Sequence, residues 1–123
     1  MPFKTNLQVA MVRHSNDRTL LQQFVYEDEE LGFIVVPKGF TTNYASIPTV
    51  VPRWWIDQDD RIIRGASVVH DFVYSTKCQI DCTRRQADYV LYRAMLELKA
   101  SKIKALSALY SVRLCGQSHW KSD

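Results

Sequence analysis

Two periodicities divide the chain. Between residues 5 and 36 the apolar positions recur every second residue: Leu7, Val9 and Met11 alternate with less apolar neighbours. Residues 20–26 (LLQQFVY) end in β-favouring types, and Phe33-Ile34-Val35-Val36 is a short apolar run closed by Pro37. A period of two places alternate side chains on one face of a strand. Asn16-Asp17 and the stretch from Asp28 to Gly32 supply turn chemistry between the runs. This half therefore reads as a small antiparallel β meander.

From about residue 60 the spacing becomes helical. Asp60 can cap a helix on which Ile63, Ala66, His70 and Val73 share one face. Thr83-x-x-Gln86 has the form of a capping box, so a second helix starts there, with Ala87, Leu91, Ala94, Met95 and Leu98 turned inward. Ser101 can cap a third, carrying Ile103, Leu106, Leu109, Tyr110 and Leu114 on its apolar side and ending at Gly116. The break near Ala100 holds neither Gly nor Pro, so fusion of the second and third helices is the alternative. Residues 37–59 lie between the two halves as an irregular segment with Pro48, Pro52 and the pair Trp54-Trp55. The expectation is one domain over residues 1–123 in the α+β class. A strand-rich part (5–36) packs on a helical part (60–118) that contains an antiparallel hairpin.

Composition narrows the partners. A net charge of +3 without a concentrated basic block argues against a nucleic-acid module, which shows stronger basic clustering on one face. No apolar run approaches the roughly eighteen residues of a membrane-spanning helix, and the N-terminus lacks a signal-peptide pattern. Synthesis in a cytoplasm is the expectation. Cys78, Cys82 and Cys115 offer no second pair to complete a zinc tetrad, so free thiols are the better reading.

The unusual stretch is Ala66-Ser67-Val68-Val69-His70-Asp71-Phe72-Val73-Tyr74, where two ionisable groups interrupt an apolar run. His70 falls on the inward stripe of the first helix. Tyr74, at i+4, is about 40° away around the axis, and Asp71 is turned by about 100°, toward an edge. On the second helix Asp88 shares the inward stripe of Leu91, Met95 and Leu98. A connection of roughly six residues makes the two helices antiparallel neighbours. His70 then lies about 9 Å from the hairpin end and Asp88 about 7.5 Å, at 1.5 Å per residue, so the two are nearly level. A buried carboxylate requires a partner, and His70 is the candidate, with Tyr74 or Tyr89 as a second donor. Such a pair can simply fix helix register. It can also orient an imidazole whose other nitrogen acts as a general base toward water. Asp71 is either a solvated carboxylate or a ligand for a hard cation.

These residues resemble the catalytic hairpin of calcium-dependent phospholipases of the secreted and parvoviral kind, with H-D-x-x-Y on one helix and A-D on the next. The resemblance spans about residues 64–95. It implies that His70 activates water, Asp71 binds calcium, Asp88 orients the histidine and Tyr74 supports the arrangement. In those enzymes a glycine-rich calcium loop precedes the histidine helix. Here the preceding segment offers only Gly39, far upstream, and Gly65, inside the helix.

A longer resemblance is to domain-of-unknown-function family 1353, proteins of tailed phages and prophages, whose pattern runs G-F-x-T-D-x-A-S-x-P, V-x-H-D-x-x-Y, R-x-x-A-D. The chain shows Gly39-Phe40-Thr41-Thr42-Asn43-Tyr44-Ala45-Ser46-Ile47-Pro48, Val68-Val69-His70-Asp71-Phe72-Val73-Tyr74 and Arg84-Arg85-Gln86-Ala87-Asp88. Asn43 replaces the family's usual aspartate, and a neutral amide serves poorly as a metal ligand or an acid. This resemblance implies a phage origin, and it leaves two function classes, of which the first is the expectation and the second the alternative. One is a virion component of the tail or head–tail junction, in contact with other phage structural proteins and retaining a phospholipase-like hairpin. The other is a small metal-assisted hydrolase acting on a lipid ester or related envelope substrate, with His70 as base oriented by Asp88.

Overall fold

The computed structural model of the chain describes residues 3–5, 7–11, 18–42, 61–115 and 120. Among these, the elements in order are β1 (Val9–Met11), β2 (Arg18–Leu20), β3 (Phe24–Asp28), β4 (Gly32–Val36), β5 (Thr41–Thr42), α1 (Arg61–Tyr74), α2 (Arg84–Glu97) and α3 (Lys102–Cys115). The chain is α+β, as its periodicities imply. Asn43, Trp54-Trp55, Asp60 and Gly116 lie outside the described residues.

The strands form two small antiparallel sheets rather than one meander. One has the order β1-β2-β5 and the other is the hairpin β3-β4. The expected run over 20–26 therefore divides, with Leu20 closing β2 and Phe24 opening β3. The polar pair Gln22-Gln23 falls in the gap, where neither residue could face a core. β5 arises inside the segment expected to be irregular. Its two threonines lie opposite β2, where Arg18 aligns with Thr42 and Thr19 with Thr41.

The hairpin turn is chemically explicit. Asp28 Oδ2 accepts hydrogen bonds from the backbone N–H groups of Glu30 and Leu31, both at 3.0 Å. Gly32 then takes a positive φ of 79°, a conformation a side chain would strain. On β4, Ile34 and Val36 are buried while Phe33 and Val35 are exposed, because a two-stranded sheet covers only one face against the helices. A second turn follows, with Phe40 N–H donating to Pro37 C=O at 3.2 Å and Gly39 at φ 90°. It brings Phe40 and β5 back beside β2.

The helices start and stop where local chemistry dictates. Both arms of the capping box are made: Gln86 N–H donates to the Thr83 hydroxyl, and Thr83 N–H donates to Gln86 Oε1. Lys104 N–H donates to Ser101 Oγ, capping α3. The break between α2 and α3 is real and takes the form of a Schellman motif. Lys99 N–H donates to Leu96 C=O and Ala100 N–H to Met95 C=O, both at 3.0 Å. Lys99 holds a φ of 71°, in the left-handed region glycine prefers.

Helices α1 and α2 run antiparallel. A Cβ at Gly65, early in α1, would lie 3.4 Å from Leu98 Cδ1 past the end of α2. At the other end Tyr74 meets Arg84. The connection covers residues 75–83, somewhat longer than expected. Leu20, Phe24, Tyr26, Ile34 and Val36 from the strands join Ala66, Val69 and Val73 of α1 and Leu91 and Met95 of α2 in one core. Helix α3 corrects the expected phase. Leu109 is buried as expected, but Ile103, Tyr110 and Leu114 are 64%, 63% and 82% exposed, and Ala105, Ala108 and Val112 face inward instead. A helix apolar nearly all round leaves the choice of face to fit, and alanines allow a closer approach to α2 than isoleucine or tyrosine would.

Candidate functional site

The α1–α2 hairpin brings three of the four candidate residues into one cluster. His70 is 1% exposed and Asp88 0%. His70 Nε2 lies 3.0 Å from Asp88 Oδ1, and the Tyr74 hydroxyl donates a very short hydrogen bond to the same oxygen. The rings of His70 and Tyr74, one helical turn apart, sit with centroids 4.3 Å apart. Tyr89 takes no part; its ring lies edge-on to Tyr92.

The other oxygen of Asp88 faces two arginines. Arg113 Nη1, from α3, donates to Oδ2 at 2.9 Å, and Arg84 Nη1, one turn before Asp88, lies 3.8 Å away. Arg84 also donates to the Tyr74 hydroxyl and to the backbone carbonyls of Val112 and Arg113. These carbonyls belong to the last turn of α3, which lacks intrahelical donors, so Arg84 caps that helix while serving the site. Trp120 closes edge-on against the Tyr74 ring at 5.1 Å.

Electrostatics follow from this partner set. Burial alone would push the Asp88 carboxyl up, but hydrogen bonds from His70, Tyr74 and Arg113 outweigh it and hold the carboxyl below its usual range. Tyr74 moves the opposite way: burial, and the negative charge of Asp88 beside it, raise its hydroxyl well above the usual phenol value. An ionised Asp88 accepts and cannot donate, so Nε2 of a neutral His70 carries the proton. Its lone pair is then on Nδ1, which has no hydrogen-bond partner among the described residues.

Asp71 sits apart, half-buried at the edge of α1, where the Thr42 hydroxyl donates a very short hydrogen bond to its Oδ2. Among the described residues no group of three or more His, Cys, Asp or Glu side chains gathers to hold a metal. Asp71 thus offers calcium one carboxylate, where six to eight oxygens are the rule. The chemistry at His70 is derived from the protein's own groups.

The profile of a family described as "Protein of unknown function (DUF1353)" matches residues 18–112. The chain belongs to this family. No curated protein and no solved structure shows a significant match. The described start of the first sequence motif (residues 39–42) and the second and third motifs, far apart in sequence, meet in space. The first reaches the second through Thr42–Asp71 and through Phe40, whose ring packs edge-on to Phe72. The second reaches the third through His70–Asp88 and Tyr74–Arg84.

Sequence reasoning missed both arginines. Arg84 was signalled by its i, i+4 spacing from Asp88; Arg113, on another helix, had no local signal. It also missed Asp28–Arg93, a second buried ion pair that fastens β3 to α2. Arg93 Nε and Nη2 donate to the two Asp28 oxygens at 3.0 and 2.8 Å. Asp28 continues the inward alternation of Phe24 and Tyr26, and a carboxylate at an inward position requires a cationic partner.

Proposed function

We propose that this protein is a small hydrolase in which His70 Nδ1 acts as general base toward water, with a lipid ester or related envelope substrate as target. One observation carries the reading: a buried imidazole anchored through Nε2 while Nδ1 has no partner among the described residues. The Nδ1 lone pair is thereby left to accept a proton, which is what a general base requires. Asp88 fixes the tautomer and stabilises the imidazolium formed when Nδ1 takes a proton from water. Tyr74, Arg84 and Arg113 keep Asp88 ionised and in place. Water then attacks the ester carbonyl, and the proton held on Nδ1 passes to the leaving alcohol.

The test is hydrolysis of phospholipid vesicles and of a soluble short-chain ester, with calcium, zinc, magnesium or EDTA. Wild type should turn over, and His70→Ala should lose about 10²–10⁴-fold while its circular dichroism is unchanged. Asp71→Asn under calcium and EDTA separates a metal-holding Asp71 from one whose role is to bond neighbouring protein groups such as Thr42. Wild-type turnover no higher than that of His70→Ala in every condition refutes the reading.

A second reading is a phage virion component of the tail or head–tail junction. The exposed Ile103, Tyr110 and Leu114 on α3 and Phe33 and Val35 on β4 favour it, since apolar surface of this kind suits burial against other structural proteins. Defined copy numbers in purified particles, measured by mass spectrometry, support it; absence from particles refutes it.

A further inference from the structure

The groove between α2 and α3 shares Arg113 with the cluster around Asp88 but holds none of its other residues. It encloses about 440 Å³ and is lined by two arginines, Arg85 and Arg113, three tyrosines, Tyr89, Tyr92 and Tyr110, and two leucines. That volume is within the range of small-molecule pockets. Among the described residues no carboxylate lines it. Helix α3 itself carries Lys102, Lys104 and Arg113 and no acidic residue.

The donors around the groove are unspent. Arg85 makes no ion pair among the described residues; its guanidinium lies 5.7 Å from the Tyr89 ring centroid, which leaves its N–H groups available. Arg113 commits Nη1 to Asp88, and among the described residues no bond engages its other nitrogens. Tyr110 is exposed, and apolar surface continues along the same helix to Leu114. Positive charge and hydrogen-bond donors thus sit beside an apolar strip.

We propose that this groove binds a single-tailed amphiphilic anion. Arg85 and Arg113 hold its carboxylate or phosphate head, and its alkyl tail lies over Leu106 and Tyr110. A second copy of the chain fits poorly, since a two-fold contact through this face would set arginine against arginine. A nucleic-acid strand fits less well than an alkyl chain, because the leucines give no stacking platform and two arginines track little of a phosphate backbone. The inference does not depend on turnover at His70.

Calorimetric titration of the whole chain with laurate and with dodecyl phosphate, each below its micelle concentration, tests it. At least one should bind with one-to-one stoichiometry, and the tighter of the two identifies the head. Inorganic phosphate and dodecanol, which lack tail and head respectively, should each bind at least about tenfold more weakly. Arg85→Gln is the informative variant, because removing Arg113 would also disturb Asp88; it should weaken binding about tenfold. Tyr110→Ser should weaken the alkyl anions and leave phosphate unaffected. Neither anion binding, dodecanol binding as tightly as laurate, an oligothymidylate binding as tightly as either anion, or affinity unchanged in Arg85→Gln would each overturn the proposal.

Discussion

Replacing Asp88 with alanine is the sharpest test of how the hairpin is held together. The carboxylate is wholly buried and receives His70 and Tyr74 on one oxygen and Arg113 on the other, with Arg84 close by. Its removal strands the His70 Nε2–H and the Tyr74 hydroxyl inside the protein, each at about 1–3 kcal/mol. The two guanidiniums are part-exposed, at 16% and 35%, and water compensates much of their loss. The expected cost is about 3–5 kcal/mol, the magnitude of a broken buried pair. Against a typical domain stability of about 5–15 kcal/mol this is a large fraction. In urea unfolding followed by far-ultraviolet circular dichroism, the midpoint should fall by about 2 M with an unchanged slope. Asp88→Asn, which keeps an acceptor but loses the charge, should cost roughly half as much. Glu97→Ala, exposed on the same helix, should stay within about 0.5 kcal/mol. An Asp88→Ala cost below about 1 kcal/mol, no more than an ordinary substitution, would refute the view that this carboxylate organises the hairpin.

Three further outcomes are expected. Lys99→Gly should raise stability by about 1 kcal/mol in thermal unfolding, because it relieves a left-handed conformation at a helix end; a destabilised variant would contradict the Schellman geometry. Thr83→Ala, which breaks the capping box, should cost about 1 kcal/mol by urea titration, and a neutral result would mean that α2 does not depend on this cap. Asp28 and Asp88 both titrate below their ordinary value of 3.8: burial raises each, but bonds from Arg93, Leu31 and Glu30 to the first, and from His70, Tyr74 and Arg113 to the second, outweigh it. Stability from such groups is complete above the unfolded-state value and is lost as pH falls through the folded one, so the urea midpoint should drop below about pH 4. The drop should flatten in Asp28→Asn/Asp88→Asn, and a midpoint indifferent to acid in wild type would refute it.

What the sequence made legible was what local rules govern. The two helix starts at Thr83 and Ser101 follow from side chains bonding amides three residues on. The meeting of His70, Tyr74 and Asp88 follows from helical phase and the level of the two helices. The split of residues 20–26 between two sheets was not legible, because strand pairing is decided by distant partners such as Thr41-Thr42. Nor was the buried face of α3: when every side of a helix carries apolar residues, the amphipathic signal vanishes and fit selects the smaller side chains. Arg113 was hidden for the same reason, since the third helix had to be placed before its guanidinium could be set beside Asp88.

The double duty of Arg84 has a consequence for biosynthesis. Arg84 grips the carbonyl of Arg113, whose own guanidinium grips Asp88, and Asp88 stands one turn beyond Arg84; the three residues close a ring between α2 and α3. A nascent chain that has extruded only α1 and α2 already holds His70, Tyr74 and Asp88, but the ring is open. The cluster around Asp88 is therefore completed only after Arg113 has cleared the ribosome.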